Sequence, residues 1–105
     1  MNSKMKIAII GSGTMGNGIA HVCAQAGYST KLVDVSRSQL EKAISTINQN
    51  LNRQLNKNII HGDEKKYILD NISISTNIEN CKDSDLVIEA VPEKFDLKAS
   101  IFKQL

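Results

Sequence analysis

Four of the six glycines in this chain lie within eight consecutive positions, directly after an apolar segment. Residues 7–10 read IAII and are followed by GSGTMGNG. A short apolar, β-branched run of this kind favours a strand buried on both faces. From Thr14 onward apolar residues recur every three or four positions, which favours a helix. The glycines therefore mark a sharp turn from a strand into a helix. Gly18 lies inside this helix, where a close helix–sheet contact would explain it.

Residues 11–16 match the pattern G-x-G-x-x-G between a predicted strand and a predicted helix, the context in which this pattern binds a dinucleotide. Gly11 permits the tight turn, Gly13 lets a pyrophosphate approach the backbone, and Gly16 lets the helix pack close to the strands. Free N–H groups at the start of the helix face the anion, and the helix dipole favours its charge. The alternative is a turn with a close-packed helix that binds no ligand.

Asp34 follows the second predicted strand, residues 29–33, and lies 18 residues after Gly16. An acid about 20 residues beyond the glycines is expected to bind the ribose of a dinucleotide. Because a carboxylate accepts hydrogen bonds from ribose hydroxyls and repels a 2′-phosphate, Asp34 favours NAD over NADP. Arg37 is near enough in sequence to serve a 2′-phosphate, so NADP is the alternative. Without the glycines, Asp34 could equally be a solvated acid at a strand end.

Strands and helices alternate along the rest of the chain. Ser36 or Ser38 can cap the next helix, and Ser38 with Glu41 forms a capping box. The apolar face of that helix comprises Leu40, Ala43, Ile44, Ile47, Leu51 and Leu55. We then expect a short helix over 64–69, a strand over 72–75, one helical turn within 76–83 and a strand over 85–91. A last amphipathic helix is predicted from Leu97, Ile101, Phe102 and Leu105. This alternation predicts an α/β fold with a parallel sheet and helical crossovers.

Composition narrows the function classes. A net charge of +2 and 4% aromatic residues, without a basic stripe, argue against nucleic-acid binding. Cys23 and Cys81 fit no metal-ligand spacing and are interpreted as free thiols, Cys23 as a buried one. The first apolar run is too short for a signal peptide or a membrane span, so we expect a cytoplasmic protein. His21 and His61 belong to no catalytic motif, and nothing places either beside a substrate.

Two segments carry a family resemblance. KIAIIGSGTMGNGIAHVCAQAGYSTKLVDVS and DLVIEAVPEKFDLKASIFKQL resemble the NAD-binding domain of the 3-hydroxyacyl-CoA dehydrogenase family, especially bacterial 3-hydroxybutyryl-CoA dehydrogenases, and the similarity extends over residues 5–105. The resemblance implies a Rossmann-type parallel sheet that binds NAD. It also implies an oxidoreductase of fatty acid or butanoate metabolism, which converts an L-3-hydroxyacyl-CoA such as 3-hydroxybutyryl-CoA into the 3-ketoacyl-CoA.

The same resemblance implies site residues. The pyrophosphate turn comprises Gly11, Ser12, Gly13, Thr14, Met15 and Gly16, with Asp34 on the ribose. The nicotinamide half is lined by Ala90, Val91, Glu93 and Lys98, and CoA contacts Asn50 and Lys57. Asn50 stands where the family has a serine. On the residues alone, Lys57 is a solvated lysine, and Glu93 with Lys98 is an acid and its partner near a helix start.

In the family, the catalytic histidine and its carboxylate partner come later than residue 105. We therefore expect this chain to be the N-terminal part of a dinucleotide-binding domain, without catalytic residues and inactive alone. The remaining strands and a C-terminal helical domain would be absent. The strand at 85–91 would then expose an apolar edge, which favours pairing between copies in a homo-oligomer. The alternative is a stand-alone NAD-binding or regulatory module.

Overall fold

The structure is a computed structural model that describes residues 5–90 and the backbone of residues 97–101. Five strands, three α-helices and one 3₁₀ turn lie in this part of the chain. In order they are β1 (Lys6–Ile10), α1 (Thr14–Gln25), β2 (Ser29–Val33), α2 (Arg37–Asn56), α3 (Gly62–Asp70), β3 (Ile72–Ser75), the 3₁₀ turn (Ile78–Cys81), β4 (Leu86–Ala90) and β5 (Leu97–Ile101). The predicted alternation of strands and helices is confirmed up to β4.

The strands form one sheet in the order β3-β2-β1-β4-β5. The pairs β1–β2, β1–β4 and β2–β3 are parallel, as predicted. The chain therefore builds outward from β1 to β3 and then returns to the other side of β1. In open parallel sheets, ligands bind outside the carboxyl ends of the strands where the order reverses in this way. The carboxyl ends of the paired strands β1 and β4 lie at that point.

The predicted last helix is wrong over residues 97–101, which form β5 antiparallel to β4 with Ala90 opposite Leu97 and Leu86 opposite Ile101. The segment reads LKASI, so apolar and polar residues alternate. A spacing of four between Leu97 and Ile101 suits a helix and a strand equally, and Ala99 between them gives the period of two. The expected exposed edge of β4 is also wrong, because β5 pairs with it. Phe102 and Leu105 lie outside the described residues.

The two faces of the sheet are covered unequally. Ile7 and Ile9 of β1 pack in the larger core with buried residues of all three helices, such as Ala20, Leu40 and Ile68. Ala8, between them, faces the other way and packs with Val33, Cys81 and Val87 in a smaller cluster. This division follows from the alternation of side chains along a strand. In the part of the chain that the structure describes, no helix is both long and apolar enough to cross a membrane.

Helix α2 is capped by Ser36, whose hydroxyl accepts a hydrogen bond from the Gln39 N–H at 3.3 Å. The capping box predicted for Ser38 and Glu41 is wrong, since Ser38 lies inside the helix and Glu41 pairs with Arg37. One of the two candidate caps is therefore confirmed.

We expect Ser36→Ala to lower the free energy of unfolding by about 1 kcal/mol, because a first-turn N–H loses its partner. Ser38→Ala is the comparison: its exposed hydroxyl lies 3.1 Å from that of Ser36 but receives no first-turn N–H, so its loss should change the free energy of unfolding by less than about 0.5 kcal/mol. Urea unfolding followed by circular dichroism measures both. Equal effects from the two variants would contradict the assignment of the cap.

Candidate functional site

The glycine turn is held in place by the neighbouring strand. Gly11 adopts φ +102°, a conformation that other residues rarely adopt. Its N–H donates to the carbonyl oxygen of Val33 at 2.7 Å, so the turn is attached to the end of β2. This confirms the tight turn expected at Gly11, and it brings the turn beside Asp34.

The other glycines of the segment divide into two kinds. A Cβ built on Gly16 would overlap the carbonyl oxygen of Gly11 and lie 2.8 Å from its carbonyl carbon, so the predicted close packing at Gly16 is confirmed. A Cβ on Gly13 would meet nothing within 4 Å, which leaves open space at the turn as an approaching ligand requires. Gly18 also has nothing within 4 Å. The close helix–sheet contact expected there is wrong.

The first turn of α1 has N–H groups without a side-chain cap. Gly13 occupies the N-cap position and has no side chain to accept from them, and the first turn carries no acidic residue. These N–H groups and the positive end of the helix dipole face the open space beside Gly13, an arrangement that favours an anion.

Asp34 is fixed by two serines. Its Oδ2 accepts from the Ser12 N–H at 2.9 Å and from the Ser12 hydroxyl at 2.8 Å. Its Oδ1 accepts from the Ser36 N–H at 2.9 Å. Ser12 is only 3% exposed, whereas Asp34 is half-buried. Of about four acceptor positions on a carboxylate, Oδ2 therefore has both of its own filled, and Oδ1 has one left for a ligand.

These contacts keep the Asp34 carboxylate ionised. Partial burial opposes the charge, but the hydrogen bonds from Ser36 and Ser12 outweigh it and hold the pKa of Asp34 below its ordinary value. A group with a lowered folded-state pKa stabilises the fold above its unfolded pKa, near 4. That contribution is lost as the pH falls through the folded-state pKa.

We expect Ser12→Ala to raise the pKa of Asp34 toward its ordinary value, because the carboxylate loses the hydroxyl bond and keeps only backbone donors. The carboxyl ¹³C shift of Asp34, followed by NMR against pH, measures this directly. Acid unfolding should begin at a higher pH in the variant, with Ser38→Ala as an exposed serine control. An unchanged titration of Asp34 would show that the hydroxyl contributes nothing.

Two open spaces border this network. The first, of about 480 Å³, lies between α1 and α2 and is called here the α1–α2 groove. It is lined by Ser12, Gly13, Thr14, Asn17, Gly18, Gln39, Lys42, Ala43, Thr46 and Asn50. The second, of about 320 Å³, is an apolar cleft at the ends of β1, β2 and β3, lined by Ile10, Val33, Asp34, Val35, Thr76, Asn77 and Ile78. Ser12 and Asp34, which are hydrogen-bonded, join the two.

Of the remaining residues implied by the resemblance, one lines the α1–α2 groove, others lie away from it, and some are outside the described residues. Asn50 lines the α1–α2 groove and accepts a hydrogen bond from Arg53 at 3.1 Å. Lys57 lies exposed beyond α2 and does not line the groove. Ala90 ends β4 with its side chain in the core, 1% exposed. Val91 and Glu93 lie outside the described residues, and Lys98 is placed only by its backbone, opposite Glu89.

The histidines and cysteines do not line these two spaces. His21 is buried and its Nε2 lies 2.9 Å from Gln25 Oε1, while His61 precedes α3. Cys23 is half-buried and Cys81 buried, and burial raises the pKa of both thiols. Within the described ranges, no group of three His, Cys, Asp or Glu side chains could hold a metal ion.

Several residues that line the α1–α2 groove and the apolar cleft were not among the predicted site residues. Val35 and Ile78, at the mouth of the apolar cleft, are 91% and 56% exposed. Their signal in the sequence is their position within three residues of the ends of β2 and β3, at the carboxyl ends of parallel strands. Gln39, Lys42 and Thr46 follow one face of α2 at steps of three and four, the spacing of neighbours on a helix.

A comparison with protein families decides the relationship. The model of the 3-hydroxyacyl-CoA dehydrogenase NAD binding domain matches residues 6–105. The chain belongs to this family. As a family member, it is 43% identical over 100 residues to a 3-hydroxybutyryl-CoA dehydrogenase of Bradyrhizobium diazoefficiens, a match that covers 95% of this chain and 34% of that protein. It is 37% identical to a 3-hydroxyadipyl-CoA dehydrogenase of Escherichia coli, covering 94% of this chain and 21% of that one.

Solved structures of the same family have the same fold. The crystal structure of (S)-3-hydroxybutyryl-CoA dehydrogenase from Ralstonia eutropha superposes with a TM-score of 0.83 at 37% identity, covering 90% of this chain and 33% of that one. The chain thus spans between about a fifth and a third of the length of these similar dehydrogenases. The resemblance read from the glycine turn and the EAVPE segment is confirmed.

Proposed function

We propose that this chain binds NAD, with the pyrophosphate at the glycine turn and the adenosine ribose on Asp34. One observation carries the proposal: an ionised carboxylate is fixed by Ser12 of the turn itself, at the border between an open glycine turn and an apolar cleft. NAD has, in order, an anionic pyrophosphate, a ribose diol and a flat apolar base. The glycine turn, the Asp34 carboxylate and the apolar cleft follow one another in the same order. When bound, NAD supplies the hydride-accepting ring.

Within the described residues, each part of the site has one task. The uncapped N–H groups of α1 bind the pyrophosphate, and the missing side chain at Gly13 gives it access. The free acceptor position on Asp34 Oδ1 takes one ribose hydroxyl. The apolar cleft beside Val35 and Ile78 takes the adenine ring, whose burial there removes apolar surface from water.

The fixed carboxylate also favours NAD over NADP. A 2′-phosphate would approach the ionised Asp34 carboxylate, and the neighbouring donors on Ser12 and Ser36 are already bonded to that carboxylate, so charge repulsion disfavours the phosphate. Arg37, the residue that could neutralise a 2′-phosphate, lies 3.6 Å from Glu41 instead. The pair is largely exposed and therefore weak.

We further propose that the whole protein is an NAD-dependent dehydrogenase of L-3-hydroxyacyl-CoA substrates, 3-hydroxybutyryl-CoA among them, in fatty acid metabolism. The names of the similar proteins support this substrate class. The base that removes the hydroxyl proton would lie outside these 105 residues, so the chain alone would bind cofactor without turnover. A parent reading frame that continues into catalytic and helical segments supports the proposal. A native product that ends near Leu105 would favour a stand-alone NAD-binding module.

The direct test is a titration of the 105-residue chain with NADH and with NADPH, followed by nicotinamide fluorescence at one salt concentration. We expect saturable binding of NADH and binding of NADPH at least about tenfold weaker, the equivalent of 1.4 kcal/mol. Equal or tighter binding of NADPH would overturn the role given to Asp34. Absence of binding by either dinucleotide would overturn the proposal for this chain.

A further inference from the structure

A further polar space lies at the other end of the strands from the glycine turn, and it is called here the amino-end pocket. It measures about 260 Å³ and is lined by Lys6, Ile7, Ser29, Lys31, Ser73, Asn80, Asp83 and Ser84. Lys6 begins β1 and Ser29 begins β2, whereas the glycine turn follows the last residue of β1. The two sites are therefore separated by the length of a five-residue strand, about 16 Å.

The strand register brings two lysines together in the amino-end pocket. Lys6 lies opposite Ser29, and Ala8 lies opposite Lys31, in the parallel pair of β1 and β2. Because alternate residues of a strand share one face, Lys6 and Lys31 are diagonal neighbours on the face that carries Ala8. The Lys31 ammonium donates to the Asn80 carbonyl oxygen at 3.1 Å, so it is held against the 3₁₀ turn beside this face.

The positive charges of the amino-end pocket are not neutralised within it. Asp83 is the only acid among the described lining residues. In the part of the chain that the structure describes, no ion pair joins Lys6 or Lys31 to Asp83 or to another acid. The other polar side chains of the lining are hydroxyl and amide groups, which can donate hydrogen bonds. Two ammonium groups beside such donors favour an anion.

A buried hydroxyl in the same pocket lacks a partner. Ser84 is 7% exposed, and its hydroxyl makes no hydrogen bond with the described residues. No fully enclosed side-chain oxygen of these residues lacks a hydrogen bond, so the Ser84 hydroxyl must be open to the pocket that Ser84 lines. A hydroxyl that is taken from bulk water without a partner costs stability, and an acceptor oxygen of a ligand in the pocket would remove that cost.

We propose that the amino-end pocket binds a phosphate group, with Lys6 and Lys31 as its cations and the Ser84 hydroxyl as a donor. A phosphate monoester carries a charge of about −1.5 to −2 at pH 7 and three acceptor oxygens, which match two ammonium groups and a hydroxyl. A carboxylate has one charge. The phosphate is either the free ion or the end group of a small monoester. The pocket shares no residue with the proposed NAD site, so the two proposals stand or fall separately.

The first test titrates the ¹⁵N-labelled chain with sodium phosphate, with glycerol phosphate and with sodium acetate, at constant ionic strength, and follows the backbone amide signals by NMR. We expect saturable shifts at Lys31 and Ser84 with both phosphates and much weaker binding of acetate. Tighter binding of glycerol phosphate identifies a monoester as the ligand, and tighter binding of phosphate identifies the free ion. Equal binding of acetate overturns the proposal. So do shifts confined to Gly13 and Thr14, because they place phosphate at the glycine turn alone.

The second test removes one cation. Lys31→Gln should weaken phosphate binding by about fivefold at low salt, and by less at high salt. Lys66→Gln on α3 is the matched control, because Lys66 is exposed and lies outside the pocket. Equal phosphate affinities of the two variants overturn the role of Lys31.

The third test changes two further pocket residues in opposite directions. Ser84→Ala should weaken phosphate binding by about tenfold, since a hydrogen bond to a charged group is lost. Its melting temperature should not fall, because the hydroxyl has no partner in the free protein, so weaker binding cannot come from unfolding. Asp83→Asn should tighten binding by about threefold, because a like charge leaves the pocket. Unchanged affinity in both variants overturns the proposal.

Discussion

Replacement of Gly16 by alanine is expected to lower the free energy of unfolding by more than about 3 kcal/mol. The new Cβ would overlap the Gly11 carbonyl oxygen, which is backbone and cannot rotate away. Relief requires α1 to move off β1, and α1 contributes Ala20 and Ala24 to the main core. For a small domain this loss is a large part of the total stability. Urea unfolding followed by circular dichroism measures it.

Gly13→Ala is the matched control for that experiment. It adds the same methyl group three residues earlier, in a turn where a Cβ would meet nothing within 4 Å. We expect it to lower the free energy of unfolding by only about 1 kcal/mol, because alanine is a poorer N-cap than glycine, and to weaken NADH binding, since the methyl group occupies the place of the pyrophosphate. A Gly16→Ala variant as stable as Gly13→Ala would contradict the close approach of α1 to the turn.

Removal of the Asp34 carboxylate, as in Asp34→Ala, is the second change with a large expected effect. The Ser12 N–H and hydroxyl lose their shared acceptor in a position only 3% exposed, which costs about 1–3 kcal/mol for an unsatisfied buried group. Loss of the charged acceptor for ribose should weaken NADH binding by about 10-fold to 100-fold, the equivalent of about 1.4–2.7 kcal/mol. NADPH should lose little, so the two affinities converge.

Asp70→Ala controls for the loss of a negative charge, because Asp70 is exposed at the end of α3 and far from the site in the fold. Fluorescence titration gives the two affinities, and urea unfolding gives the stability at the same pH. An Asp34→Ala chain that still prefers NADH by the wild-type factor would show that another group selects the cofactor. That outcome would leave the stability effect of Ser12 intact.

The order of elements and the glycine turn were predictable because they depend on local rules. A β-branched run, a positive-φ turn and a helical period determine β1, Gly11 and α1 without reference to distant residues. Asp34 was found for the same reason, by its spacing from the turn. Its partner Ser12 was treated only as a cofactor residue, since no spacing rule states which atom of the turn faces the acid.

The sequence was misleading where one segment fits both the helical and the strand period, and where a feature depends on the packing of two distant elements. LKASI satisfies a helix by its spacing of four and a strand by its alternation, and pairing with β4 decides for the strand. The groove was missed because it forms between α1 and α2, and no local pattern gives the distance between two helices.

The position of β1 at the centre of the sheet sets an order of events during synthesis. β1 emerges first, but one of its two neighbours, β4, begins only at Leu86, and the bond from Lys6 N–H to Asp85 closes a separation of 79 residues. Long-range pairings of this kind form late and slow the folding of a chain. During synthesis, one edge of β1 therefore stays unpaired until β2, β3 and all three helices have been made and β4 follows them. We infer that premature termination before residue 86 leaves β1, whose Ala8 and Ile9 are fully buried in the complete sheet, with an open edge.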